Sequence, residues 1–211
     1  MTRFNPRLYF ITDSTKYTKA EFLLRVEKAL KGGVTLLQIR EKERTTREYL
    51  ELAEAVHSLT LKYKVPLIID DRIDVAMAVN AEGVHLGQSD LPIGVARKIL
   101  GEDCIIGATA KTVEQAKEAY ELGADYLGVG AIFPTTTKVK TVLTSTDTLA
   151  DICKAVPIPA NAIGGLNKDN IDVLKGIPIA GVCVVSAIMK ADDPGEAAKE
   201  LSEAIKEKLG F

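Results

Sequence analysis

The sequence predicts an α/β protein, a single (β/α)8 TIM barrel occupying residues 1–211 as one domain, and three observations carry that expectation. Short β-branched runs recur along the chain, stretches of helical spacing separate them, and polar residues gather just after each run. The runs are "LYFIT" (8–12), "TLLQI" (35–39), "PLIID" (66–70), "GVHLG" (83–87), "CIIGA" (104–108), "YLGVG" (126–130), "IPANAIGG" (158–165) and "GVCVVS" (181–186). Eight strands are expected. Their near-continuous apolar character fits parallel strands covered on both faces. A doubly wound open sheet is the alternative, but eight βα units in 211 residues favour closure.

The segments between the runs support this order. In "YLELAEAVHSLTLKY" (49–63), the residues Leu50, Ala53, Val56 and Leu59 fall on one helical face. In "TVEQAKEAYELGAD" (112–125), Gly123 is placed to stop a helix. The turns "LKGGVTLLQI", "AEGVHLG", "ELGADYLGVG" and "IAGVCVV" repeat a helix–glycine–strand unit, a repetition of architecture rather than of sequence. The longest unassigned connection is "FPTTTKVKTVLTS" (133–145), a length typical of lids and binding loops.

Composition excludes several classes. A hydrophobic content of 46% supports a full core. The 27 basic and 29 acidic side chains are interspersed, for a net charge of −2, so no basic face is offered to nucleic acid. No apolar run approaches the roughly 20 residues that span a bilayer, and "MTRFNPRLYF" lacks the pattern of a secretory signal. Cys104, Cys153 and Cys183 form no C-x-x-C pair and read as core residues. A cytoplasmic protein without nucleic-acid or membrane partners is expected; the number of subunits is left open.

In a parallel barrel the loops after the strands build the active site. Here those loops read "QIREK", "DDR", "GQSD", "ATAKT", "PTTTK", "GGLNKDN" and "SAI", whereas the loops entering the strands are mostly Gly, Ala and Pro. In an extended "QIREK", Gln38, Arg40 and Lys42 share one face while Ile39 and Glu41 take the other. Two cations and an amide on one face suit a polyphosphate; a solvated strand end is the plainer reading. Asp70, Asp71 and Asp90 supply carboxylates to neighbouring strand ends, as a Mg²⁺ site requires, although Asp90 before "LPIGVARKIL" equally suits a helix N-cap. Thr135, Thr136, Thr137 and Lys138 offer hydroxyls and an ammonium to phosphate, or plain extended structure. Gly164 and Gly165 precede an expected helix and, with "VVSAI", suit a phosphate cup, or simply a tight turn.

Two histidines are present, His57 in a helix and His85 in a strand, and neither belongs to a Ser/His/Asp or zinc constellation. Acyl transfer and zinc hydrolysis are poor expectations. Joining or rearranging small phosphorylated molecules with Mg²⁺ fits better.

The motifs "LYFITD", "LLQIREK", "LIIDDRIDVAMAVNAEGVHLGQSDLP", "IIGATAKT", "ADYLGVGAIFPTTTK", "AIGGLNKDN" and "GVCVVSAI" run through almost the whole chain. In this order and spacing the sequence resembles the thiamine-phosphate synthase (thiamine-phosphate pyrophosphorylase) family. The resemblance implies a (β/α)8 barrel that joins 4-amino-2-methyl-5-pyrimidinylmethyl diphosphate to 4-methyl-5-(2-phosphoethyl)thiazole, giving thiamine phosphate and pyrophosphate. It implies that Gln38, Arg40 and Lys42 hold the pyrimidine diphosphate, with Ile39 and Glu41 in the same contact segment and Lys138 on the pyrophosphate. Arg40, Lys42 and Lys138 are then the catalytic cations, and Asp71 and Asp90 the Mg²⁺ ligands. Thr135, Thr137, Gly165, Val185 and Ser186 match positions that bind the thiazole phosphate, with Thr136 between them. The implied mechanism is dissociative: pyrophosphate leaves first, and the thiazole nitrogen attacks the resulting cation with a lone pair that carries no proton. No general base is required at that step, in keeping with the scarcity of histidine.

The sequence departs from the family pattern at Asp70, where Asn is common, and at Thr109, where Ser is usual. The run "VKTVLTSTDTL" also lacks the usual glycine-containing stretch before the sixth helix. Other readings are a thiazole tautomerase, a barrel aldolase or isomerase using Lys42 or Lys138 as a Schiff-base amine, and a non-catalytic phosphate-binding barrel.

Overall fold

The computed structural model describes residues 4–135 and 142–211. Its eight parallel strands close in sequence order into a barrel: β1 (Leu8–Ile11), β2 (Leu36–Ile39), β3 (Leu67–Asp70), β4 (Gly83–Leu86), β5 (Ile105–Ala110), β6 (Tyr126–Gly130), β7 (Ala160–Ile163) and β8 (Gly181–Val184). Pairing of Tyr9 with Cys183 returns the last strand to the first. The expected barrel is therefore observed, and the open sheet is not. Each expected run holds a strand, trimmed most in 158–165, where Pro159 lies outside the paired segment and Gly164 and Gly165 already turn away with positive φ.

Helices cover the strands: α1 (Lys19–Lys31), α2 (Thr46–Tyr63), α3 (Ile73–Val79), α4 (Ile93–Leu100), α5 (Val113–Glu121), α6 (Thr146–Ala155), α7 (Ser186–Met189) and α8 (Pro194–Leu209). Their starts follow from local chemistry. Thr18 with Glu21, and Thr45 with Glu48, form reciprocal capping boxes at α1 and α2. Asp193 caps α8 ahead of Pro194, whose missing N–H costs nothing at a first helical position. Gly123, at φ +95°, follows the end of α5 as its placement predicts.

The core has two layers. Leu8, Phe10, Leu37, Ile39, Leu67 and Ile69 point outward against the helices. Tyr9, Ile11, Leu36, Ile68, Ile105, Tyr126 and Cys183 fill the barrel. The filling needs gaps opposite its large rings: a Cβ on Gly107 would lie 2.1 Å from Cζ of Tyr126. Gly107 is thus the space that Tyr126 occupies.

Three details differ from expectation. The buried stripe of α2 runs through Tyr49, Leu52, Ala53, Val56 and Thr60, so Leu50 and Leu59 flank it at half burial. The helix expected after Gly165 is a 3₁₀ turn, Ile171–Leu174, because Asn167 and Asn170 spend their side chains on local backbone bonds and Pro178 follows closely. Of the cysteines, Cys183 is buried, whereas Cys104 and Cys153 are half-buried, and burial pushes the Cys153 thiol up to about 11. Among the described residues no helix is long and apolar enough to cross a membrane.

Candidate active site

The end of β2 divides its side chains as alternation requires. Gln38 and Arg40 line a cavity of about 180 Å³ at the carboxyl ends of the strands. Ile39 is fully buried in the outer layer, and Glu41 turns away from the cavity to accept hydrogen bonds from Ser14 (2.7 Å) and Arg44 (2.8 Å). The Ile39 and Glu41 side chains thus support the motif from behind instead of facing a ligand. Arg40 Nε stands 3.7 Å from Asp70, and Lys42 Nζ stands 2.8 Å from Asp70 and also contacts Asp71.

Asp70 closes β3 and is 8% exposed. Burial raises its pKa, with Asp71 adding to the rise and Lys42 and Arg40 opposing it. For Lys42, burial disfavours the charge, yet its bonds to Asp70 and Asp71 prevail and raise its pKa. Asp71 has φ +60°, a left-handed conformation that short polar side chains tolerate, and its N–H donates to the His85 carbonyl at 2.9 Å. That turn carries its carboxylate to Asp90. Asp90 is not the N-cap of α4, a position Pro92 holds; its carboxylate accepts from the Gly87 N–H at 2.7 Å. Burial and then the bond and charge of Asp71 raise the Asp90 pKa.

Two facing carboxylates that repel one another fit a hard divalent cation. Among the described residues no group of three or more His, Cys, Asp or Glu side chains could hold a metal; the Asp71 and Asp90 carboxylates by themselves are compatible with Mg²⁺, which keeps several waters. Asp71 and Asp90 would hold it.

The opposite side of the cavity is nearly uncharged. Gly164 (φ +107°), Gly165 (φ +64°), Val185 and Ser186 line it, with Thr135 on the far rim. A Cβ on Gly165 would lie 2.7 Å from that of Phe133 and 2.8 Å from the Pro134 carbonyl, so the Phe133–Pro134 segment packs directly on a backbone that has no room for a side chain. The Ser186 segment is braced from below, since Tyr17 (2.7 Å) and Arg25 (3.0 Å) donate to the Met189 carbonyl. Thr136, Thr137 and Lys138 lie outside the described residues.

The floor joins these sides through a polar chain whose ends, Gln38 and Thr109, sequence reasoning singled out, but whose middle, Tyr9 and Tyr126, it passed over. Gln38 donates to the Tyr9 hydroxyl (2.7 Å), which meets the Tyr126 hydroxyl (2.7 Å); that hydroxyl meets His85 Nδ1 (3.1 Å), and His85 Nε2 meets Thr109 Oγ1 (3.0 Å). His85 is therefore a pocket residue, while His57 is buried against the Val79 carbonyl and Glu82. Lys111 also lines the cavity; its signal was its place in the polar segment after the fifth run, where Thr109 drew attention instead.

A family model described as thiamine monophosphate synthase matches residues 8–188. The chain is 53% identical over 193 residues to thiamine-phosphate synthase 2 of Streptococcus pneumoniae, covering 92% of each chain. It is 48% identical over 195 residues to thiamine-phosphate synthase of Clostridium tetani, covering 92% of this chain and 93% of that one. Among solved structures, thiamine phosphate pyrophosphorylase from Pyrococcus furiosus superposes with a TM-score of 0.89 at 41% identity over 99% of both chains. A 3-hexulose-6-phosphate synthase, at 18% identity and a TM-score of 0.72, shares the fold. The chain belongs to the thiamine monophosphate synthase family of enzymes.

Proposed function

We propose that this protein, as one catalytic domain spanning residues 1–211, is a Mg²⁺-dependent transferase of the cytoplasm. It joins 4-amino-2-methyl-5-pyrimidinylmethyl diphosphate to 4-methyl-5-(2-phosphoethyl)thiazole, giving thiamine phosphate and pyrophosphate. The observation that carries this reading is the pairing, around one cavity, of Arg40 and Asp70 on one side with the Gly164–Gly165 and Val185–Ser186 backbone on the other. One side suits a leaving polyphosphate and the other a phosphate monoester.

In the reaction, the carbon–oxygen bond to the diphosphate breaks and its electron pair leaves with pyrophosphate. The ring amine stabilises the remaining cation, and the thiazole nitrogen closes the new carbon–nitrogen bond with its own lone pair. Arg40, Lys42 and Lys138 neutralise charge that grows on the departing oxygens, where preorganised cations contribute several kcal/mol. When bound by Asp71 and Asp90, Mg²⁺ supplies further positive charge to those oxygens. Gly165, Val185, Ser186, Thr135 and Thr137 position the thiazole phosphate. Lys42, held as an ammonium by two aspartates, is poorly suited to act as a Schiff-base amine.

The test is to mix both substrates with Mg²⁺ and follow pyrophosphate. Stoichiometric release of pyrophosphate with thiamine phosphate is expected. Conversion of the thiazole alone, with no pyrophosphate formed from the mixture, would replace this reading with a tautomerase.

A further inference from the structure

Arg40 and Lys111 both line the cavity, but their surroundings differ. Arg40 Nε stands 3.7 Å from the Asp70 carboxylate. Lys111 meets no carboxylate: among the described residues its ammonium makes no ion pair and no hydrogen bond. A half-buried cation of this kind has lost part of its hydration without compensation, and an anion entering the cavity supplies it.

The chain fixes where that cation starts. Thr109 in β5 and Lys111 just beyond it stand two positions apart and line the cavity, while Ala110 between them is fully buried in the outer layer. The Lys111 N–H donates to Gln115 Oε1 (2.8 Å), and the Gln115 N–H donates to Thr112 Oγ1 (3.2 Å) at the start of α5. On the side of β4, Gln88 donates to the Thr109 carbonyl at 2.6 Å. The backbone under Lys111 is therefore held from both neighbours, and only its own stem sets the reach of the ammonium.

What shares the cavity indicates which anion it meets. Lys42, Asp71 and Asp90 do not line this space. Gly164, Gly165, Val185 and Ser186 do, and they offer N–H and hydroxyl donors without charge. A phosphate monoester carries roughly 1.5 to 2 negative charges near pH 7, which neutral donors alone leave uncompensated. We propose that Lys111 is the counter-cation of the thiazole phosphate, a binding residue that selects the phosphorylated thiazole over the free alcohol. The inference rests on the proposed thiazole-phosphate substrate and adds to it the side chain that tells ester from alcohol.

Calorimetry on the full chain with Mg²⁺ tests this with the thiazole phosphate, with 4-methyl-5-(2-hydroxyethyl)thiazole, which lacks the phosphate, and with pyrophosphate. Lys111→Met keeps an apolar stem and removes the charge. In that variant Kd for the thiazole phosphate should rise roughly tenfold, the size of one lost charge-assisted contact, while Kd for the alcohol and for pyrophosphate stays within about twofold. Lys111→Arg should bring the thiazole phosphate back to within about threefold of native affinity. Added salt should weaken binding of the thiazole phosphate more steeply in the native protein than in Lys111→Met, a difference that a structural role would not produce.

Equal weakening of phosphate and alcohol would mark a structural role. Weakening of pyrophosphate alone would put the ammonium on the leaving group, and unchanged affinities would leave it solvated at the rim. Each of these results overturns the proposal. Lys111→Gln, polar and uncharged, takes the place of Lys111→Met if that variant does not fold. Failure of the functional reading shows separately, as absence of pyrophosphate release when the native protein meets both substrates with Mg²⁺.

Discussion

The two halves of the cavity mouth are built by different means. The half built from β2, β3 and β4 works through charge, and its charges already satisfy one another: Lys42 bridges Asp70 and Asp71, and Arg40 leans on Asp70. The half built from β7 and β8 works through backbone shape, with Gly164 and Gly165 turned into conformations that side chains resist and α7 tied down by Tyr17 and Arg25. The first half must exchange internal ion pairs for a ligand, whereas the second is set before the ligand arrives. A leaving group suits the first arrangement and a handle that stays attached suits the second.

Substitutions on either side probe this contrast. Arg40→Ala should lower kcat by about 10² to 10³, and Lys138→Ala comparably, because charge stabilisation on the leaving group is lost, while the thermal midpoint stays within a few degrees. Near-native turnover in stopped-flow pyrophosphate assays would remove the charged half from the chemistry. Gly165→Ala should act on the other half, raising KM for the thiazole phosphate about tenfold with kcat less affected, since the added methyl meets Phe133 and Pro134 at a positive φ. An unchanged KM would mean that the backbone there does not touch the phosphate.

Asp70→Asn should give a smaller change. Removing a carboxylate that competes for Arg40 and Lys42 should tighten inhibition by pyrophosphate roughly threefold, a size set by partial solvent screening. Unchanged inhibition and unchanged Mg²⁺ dependence would leave that carboxylate without a special role. Thr45→Ala should cost about 1 kcal/mol of stability in a denaturant titration, by loss of the cap that starts α2 after the charged loop. Bonds from Thr45 hold the Glu48 pKa below its usual value, so this contribution is present above the unfolded pKa and is lost as pH falls through the folded one. Glu48→Gln should flatten that acid dependence.

The strands were legible because a buried parallel strand leaves a mark that depends on nothing else: a short β-branched run ahead of polar residues. The split of the "QIREK" side chains was legible for a related reason, since alternation is a property of one extended segment. The alignment of Asp71 with Asp90 was legible as a pairing of strand ends, but not the left-handed turn of Asp71 that brings them together. Least legible was the contact of Tyr9 with Tyr126, 117 residues apart, which depends on the register of the whole closed sheet and on the space that Gly107 leaves for the Tyr126 ring. The α2 stripe was misjudged by one position because Tyr49 and Thr60, polar-tipped residues, are buried with their hydroxyls bonded to backbone.

The pairing of β1 with β8 sets a condition on how the molecule is made. During synthesis, β1 must wait with one edge open until β8 has emerged, because Leu8 finds its neighbour on that side only at Val182. A chain interrupted before that point presents two unsatisfied strand edges around an unfilled interior, a template for joining other unfinished copies. Completion of synthesis through β8 therefore protects the solubility of everything before it.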